Sequence, residues 1–244
     1  VIWKFLNTGF NTGKFNMEFD MELAANCKPD EAFFRLYRWK PACISLGANQ
    51  NPDSIDSEKA ANDGIDIVKR PTGGRAILHS EEVTYSVIIS LSCGLSAVQI
   101  YEKINMALLA GLTKYDCSLN FAELEKKQPD FPTFYKEEKS VVCFANSAKS
   151  EIKYDGRKLV GSAQRKLDKV ILQHGSVLCG SHHKKIAEYL KLSDMNKEFL
   201  YGEMEKGTIE IERIINKEVD YDLLNDSLIS GFKEFWNINK LKKV

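Results

Sequence analysis

Apolar positions switch repeatedly between helical spacing and the alternation of strands, with no internal repeat and no low-complexity block. Asn16 reads as a helix N-cap ahead of Met17, Met21 and Ala24 on one face, with Phe19 and Leu23 beside it. A second helix is expected from Ser54 to Asn62, stopping at Gly64. A third starts near Ser96 and repeats Tyr101, Ile104, Leu108 and Leu112, flanked by Val98, Asn105 and Leu109. Leu224, Leu228, Phe232 and Phe235 mark a last amphipathic helix near Trp236, and both of these later stripes read as core-facing scaffold. His182-His183-Lys184-Lys185 reads as the opening of a solvated helix, with a basic patch that could meet an acidic carrier protein.

Strand patterning falls on Phe33 to Trp39, Cys43 to Leu46, Ile65 to Val68, Ala76 to Leu78, Val83 to Ile89, Val141 to Phe144, Ile152 to Tyr154, Lys158 to Ala163 and Val170 to Leu172. Asp155-Gly156 is a two-residue hairpin signal, and Pro71-Thr72-Gly73-Gly74 reads as another tight connection. Strands joined this closely pair mainly antiparallel, so the expected class is α+β: a mixed, mainly antiparallel sheet flanked by helices.

Composition narrows the function classes. At 244 residues with 43% hydrophobic side chains, the chain can bury a large core without disulfide staples. Its 34 basic and 34 acidic groups leave no net charge, which argues against the broad basic footprint of a nucleic-acid binder. No apolar run approaches the length of a membrane span, and Val1-Ile2-Trp3-Lys4 lacks the layout of a signal peptide, so a cytoplasmic location is expected. The six cysteines, at 27, 43, 93, 117, 143 and 179, form no CxxC pair, so no metal site is implied and most are expected to be inert packing.

The common nucleotide and serine-hydrolase fingerprints are missing. What stands out is Lys69-Arg70-Pro71-Thr72-Gly73-Gly74-Arg75-Ala76-Ile77-Leu78-His79. Adjacent glycines let backbone pass close to a ligand and leave amide N-H groups free to point inward, and Arg70, Arg75 and His79 could complete a polar mouth. A second segment runs Asp155-Gly156-Arg157-Lys158-Leu159-Val160-Gly161-Ser162-Ala163-Gln164-Arg165, followed by Ile171-Leu172-Gln173-His174-Gly175-Ser176-Val177.

In this order the segments resemble the lipoate and biotin protein ligase superfamily, in particular its lipoate ligase and octanoyltransferase branch. The resemblance runs from Phe15-Asn16-Met17-Glu18-Phe19-Asp20 through Ser45-Leu46-Gly47 and Thr84-Tyr85-Ser86 to the closing helix, and implies one catalytic domain over residues 1–244. It implies that Arg70, Gly73 and Gly74 line an acyl pocket, with Arg75 and His79 beside them, and that Lys158 contacts the acyl carbonyl.

Cys143, before the lysine motif, stands where the resemblance places the nucleophile of cysteine-dependent octanoyltransferases. Arg75 points the same way, because the ATP-using ligases usually have a third glycine there. Two features depart from the family pattern: the stretch from Ala145 to Ser150, and Val142 in place of a proline. An acyl carrier thioester is already activated, so a thiolate can take the acyl group without a nucleotide, and neither ATP nor another cofactor is expected. Lys158 would raise the thiolate fraction of Cys143 and stabilise an oxyanion. The expected partners are acyl carrier protein as donor and an apo lipoyl-domain protein as acceptor, with no nucleic acid and no membrane. Three other readings stay open: an ATP-dependent lipoate ligase, an octanoyl amidotransferase between lipoyl-type proteins, and a non-catalytic acyl-binding module.

Overall fold

The structure, a computed structural model, describes residues 1–125, 151–238 and 242–243. Its strands are β1 (Ile2–Asn11), β2 (Glu31–Trp39), β3 (Cys43–Leu46), β4 (Asp66–Lys69), β5 (Ile77–His79), β6 (Glu82–Ser90), β7 (Ala122–Leu124), β8 (Ile152–Tyr154), β9 (Arg157–Leu167), β10 (Val170–Leu178) and β11 (Lys242–Lys243). Its helices are α1 (Gly13–Ala25), α2 (Ser57–Asn62), α3 (Ala97–Tyr115), α4 (Asp194–Gly207), α5 (Ile211–Ile215) and α6 (Tyr221–Phe235).

Eight strands form one sheet in the order β11-β1-β2-β6-β10-β9-β8-β7, and β4-β3-β5 form a second. Pairing is antiparallel except for β1 with β2, β1 with β11, and β3 with β4. The mixed, mainly antiparallel architecture is therefore present. Asp155 and Gly156 both take positive φ (50° and 71°) between antiparallel β8 and β9, as a two-residue hairpin of the primed type requires.

Helices α3 and α6 cover one face of the large sheet. The Ser96 hydroxyl accepts from Gln99 N, and the Gln99 side chain accepts from Ser96 N in return, which starts α3 at the residue its pattern indicated. Ile104, Leu108 and Leu112 from α3 then meet Leu224, Leu228 and Phe232 from α6 in the main core, while Val98 faces outward. Phe232 stacks on Phe34 of β2 at 4.1 Å between ring centroids. On the opposite side, the small sheet contributes Ile44, Leu46, Ile77 and Leu78 to a second core with Ile186, Ala187 and Met204.

Several expectations give way to tertiary packing. Thr12, not Asn16, caps α1 by accepting from Phe15 N; Asn16 lies inside the helix, fully buried, with its side-chain oxygen 2.6 Å from the Arg35 guanidinium. The segment at 54–62 divides into a 3₁₀ turn (Pro52–Ser54) and α2, because Ile55 bridges to Leu190 and Asp56 supplies the cap. The tight connection at Pro71–Gly74 does not join paired strands, since β4 and β5 pair with opposite edges of β3 and the chain must pass its end. His182–Lys185 opens a 3₁₀ segment (Ser181–Tyr189) with His183 and Lys184 buried. Lys184 is held by Glu205 and by Glu210 at 2.8 Å, so it adds little to an exposed basic patch. The strand expected at Val141 to Phe144 lies outside the described residues.

The two main helices approach closely enough to require glycine on both. A Cβ on Gly231 would sit 2.2 Å from the backbone nitrogen of Gly111, and one on Gly111 would sit 2.6 Å from Leu228 Cα. Gly231→Ala should therefore lower stability in urea unfolding by about 1 to 3 kcal/mol, the usual cost of overpacking. Gly202→Ala, in α4 with open space at its Cβ position, should be neutral or stabilising by about 1 kcal/mol. Equal stability of Gly231→Ala and the parent would contradict this packing.

Candidate active site

Between the two sheets lies a pocket that opens partly to solvent. It is walled by Met17 of α1, Tyr37 and Trp39 of β2, Ser45, Arg70, Ile77 and His79 from the small sheet and its loop, and Thr84 of β6. Gly161, Ser162 and Ala163 of β9 and His174, Gly175 and Ser176 of β10 complete it. The register explains the last six: Gly161 pairs with Ser176, Ser162 with Gly175 and Ala163 with His174, so both later motif segments reach the cavity side by side.

Arg70 is 3% exposed and works as a staple. Its guanidinium donates to Ser45 O at 2.8 Å, Ser45 Oγ at 3.0 Å, Gly73 O at 3.0 Å and Arg75 O at 2.6 Å. Four acceptors around one planar fork fix the loop to β3. Gly47 closes the other side, because a Cβ there would lie 1.9 Å from Gly74 O. Gly74 takes φ of 92°, a conformation that favours glycine. Arg70 and His79 thus stand on the cavity wall, whereas Gly73, Gly74 and Arg75 shape the loop behind it.

Two hydroxyl-imidazole-carboxylate chains flank the cavity. In the first, His79 Nε2 is 2.7 Å from Ser45 Oγ and its Nδ1 is 2.8 Å from Glu82 Oε1. Glu82 also accepts from Ser176 Oγ at 2.8 Å and from Thr84, whose own oxygen accepts from Trp39 Nε1 at 2.6 Å. Burial works to raise the Glu82 pKa, but His79 and the two hydroxyls hold it below the ordinary value. In the second, His174 Nε2 is 2.6 Å from Thr72 Oγ1 and its Nδ1 lies 3.9 Å from Asp20 Oδ2. Asp20 pairs with Arg35 at 2.8 Å, both fully buried, and accepts from Ser86 Oγ. Asp20 stays below the usual carboxylate range because His174 and Arg35 outweigh burial, and burial pushes His174 below the usual histidine value.

Lys158 is 1% exposed on β9, its Nζ 3.1 Å from Glu151 Oε2; the other Glu151 oxygen accepts from Ser162 N at 3.1 Å. It is absent from the cavity lining but sits three residues before Gly161 on the same strand, about 10 Å away. Cys143 lies outside the described residues. Burial raises the Cys27 pKa to about 11 and drives Cys43 and Cys179 higher still, so these three thiols are poor nucleophiles. Among the described residues no cluster of His, Cys, Asp and Glu suits a metal ion, and no helix is long and apolar enough to cross a membrane.

Residues 12–233 match the family described as the lipoyl protein ligase A/B catalytic domain. The chain belongs to that family. Octanoyltransferase LipM of Kyrpidia tusciae is 33% identical over 95% of this chain and 86% of its own length. The protein of the same name in Bacillus subtilis is 32% identical over 97% and 87%. Among solved structures, a lipoate-protein ligase A bound with ATP superposes with a TM-score of 0.76 at 17% identity, covering 100% of this chain and 90% of that one. A bi-partite lipoate protein ligase of Thermoplasma acidophilum, described with its E2 lipoyl domain, gives 0.75 at 17% identity, covering 100% and 87%. At that identity the two structures establish the fold of the family.

Ser45, Glu82, Asp20 and Thr72 carry no local sequence signal that marks them as site residues. Their histidine partners lie 3 to 154 positions away, and among these only the Glu82 to His79 spacing is local.

The histidines dictate how stability responds to acid. His174 and His183 both have folded pKa values depressed by burial from 6.5. Below about pH 6.5 the unfolded chain binds protons at these positions that the folded chain refuses, so stability should fall as pH drops through that value. Asp20 and Glu82 act in a lower window: their depressed pKa values stabilise the fold above the ordinary carboxylate range, and that contribution is lost beneath it. Urea midpoints measured from about pH 7.5 to 5.5 should decline. His174→Gln should flatten the slope, and a flat parent profile would contradict the assignment.

Proposed function

We propose that this chain is an acyltransferase that moves an octanoyl group in protein lipoylation. It takes the acyl group from acyl carrier protein as a thioester on Cys143 and passes it to the lysine of an apo lipoyl domain, without ATP. The observation that carries the reading is the pocket between the sheets, walled by both motif segments and lying along β9 from Lys158. Met17, Tyr37, Trp39 and Ile77 give it carbon surface for an alkyl chain. The octanoyltransferase relatives, alike over nearly the full chain, support the same acyl group.

In this reading the thiolate of Cys143 attacks the carrier thioester, the new C–S bond forms and the carrier thiol leaves. A free thiol is only a few per cent ionised at neutral pH, and the Lys158 ammonium favours the thiolate. The same ammonium faces the oxyanion of the tetrahedral intermediate, with Glu151 holding it in place. The acceptor lysine then forms an amide, which makes the transfer effectively irreversible. His79 and Arg70 bound the acyl chain, and the loop of Gly73, Gly74 and Arg75 keeps that wall closed.

Intact-protein mass spectrometry tests the route. Octanoyl carrier protein should add one octanoyl group without ATP, lost in Cys143→Ser and retained in Cys27→Ser and Cys179→Ser. Addition of an apo lipoyl domain should move that group to the domain. An adduct that survives Cys143→Ser, or modification of the domain only when ATP and free acid are supplied, would overturn the proposal.

A further inference from the structure

The pocket occupies two rows of the large sheet and stops before the third. Gly161, Ser176 and Thr84 are paired in the first row, and Ala163, His174 and Ser86 in the second. Arg165, Leu172 and Ile88 form the third, about 7 Å further along the strands. Gly161, Ser176, Thr84, Ala163 and His174 line the pocket, and no residue of the third row does. Lys158 stands near the opposite end of β9, so the boundary between the second and third rows faces the tail of an acyl chain rather than its carbonyl.

The third row would not itself repel an alkyl chain. Leu172 and Ile88 are fully buried in a small apolar cluster with Ala24 and Phe33, under α1. What lies across the boundary is a step of the glycine loop, where two consecutive residues reach over to the large sheet. Thr72 Oγ1 is 2.6 Å from His174 Nε2, in a buried contact. Beside it, Arg165 Nη1 donates to Pro71 O at 2.6 Å, joining residues 94 positions apart. Such a charge-assisted bond is about twice as strong as a neutral one. Arg70 fixes the far side of the same loop through the carbonyls of Gly73 and Arg75. The Pro71–Thr72 step is therefore held from both sides.

We infer that Arg165 is a specificity-determining residue, which holds the Pro71–Thr72 step across the end of the pocket and so limits the acyl chain to octanoyl length. The inference rests on the octanoyl reading of the pocket. Arg165 does not line the pocket; it acts through Pro71 as a positioning residue. With this latch in place, a longer chain must fold back inside the packed site or break the Thr72–His174 bond. Without it, that single bond stands alone, and the step can lift to open a way toward Leu172 and Ile88.

The test reads binding and transfer separately on the same chain, with saturated acyl groups of six to twelve carbons. Calorimetric titration with the free fatty acids reports the pocket alone, and competition among the acyl carrier thioesters reports transfer. In the parent, the twelve-carbon acid should bind more weakly than the eight-carbon one. Arg165→Ala should raise the ratio of twelve- to eight-carbon affinity by about tenfold, within the range that overfilling a packed site costs. Arg165→Lys, which keeps a cation able to donate to Pro71 O, should raise it less. Lys166→Ala, at the exposed neighbour on the other face of β9, should leave the ratio where it is. A general loss of structure would weaken all chain lengths together. An unchanged ratio in Arg165→Ala, or an equal change in Lys166→Ala, would overturn the inference. If the affinity ratio moves as expected while no thioester acylates the protein, the latch stands and the transfer reading falls. A parent that neither binds these acids nor takes acyl groups from the thioesters would overturn both.

Discussion

The guanidinium of Arg70 is the point at which the small sheet and the glycine loop become one object. Burying this cation is tolerable only because its donors meet oxygens of Ser45, Gly73 and Arg75. These contacts tie the loop to β3, and Thr72 in the same loop ties it to His174 on β10 of the large sheet. Ala48 N donates to Thr72 O, and Gly47 admits Gly74 at a separation no side chain would allow. Without the staple, the loop would face a buried void with several carbonyls lacking partners, at about 1 to 3 kcal/mol for each unsatisfied group. The cavity therefore has a wall of fixed position.

The polar groups around that cavity are arranged to bind one another. Thr84, Ser176 and His79 converge on Glu82, while Arg35, Ser86 and His174 surround Asp20. Internal pairing of this kind lets a chain of methylenes lie against histidine, serine and threonine without stranding their polar atoms. In the proposed reading, it lets a pocket rich in chemically capable side chains take an apolar acyl chain. Residues that would otherwise read as a surface polar cluster become a rigid lining, with pKa values set by burial and by one another.

Local signals in the sequence anticipated the parts of the fold that local physics decides. The Ser96 cap, the stripes of α3 and α6, the Asp155-Gly156 turn and the exact span of β3 follow from spacing and turn chemistry within a few residues. Strand β1 was missed because its exposure is irregular and Gly9, at φ of 64°, interrupts its register with β2. Asn16 resembled a cap because Asn favours that position, but its side chain is taken by Arg35, 19 residues away. Lys184 looked solvated in a basic run, yet two glutamates more than 20 positions on draw it inside. Of the cavity wall, Arg70 and His79 were readable from motif context, whereas Lys158 lies outside that wall and Ser45, Glu82 and Asp20 depended on which strands meet, which no local pattern encodes.

If the staple fixes the wall, the pocket should measure acyl length. The most direct measurement is competition among acyl carrier thioesters of different chain length, read as relative specificity. Each methylene buried contributes about 0.8 kcal/mol, so a six-carbon chain should trail an eight-carbon one by roughly fifteenfold. Longer chains should fall off as well if the packed wall ends the pocket, because forcing extra methylenes against packed side chains costs about 1 to 3 kcal/mol. The account predicts a maximum near eight carbons. A specificity that rises steadily with chain length would mean an open groove and would contradict it.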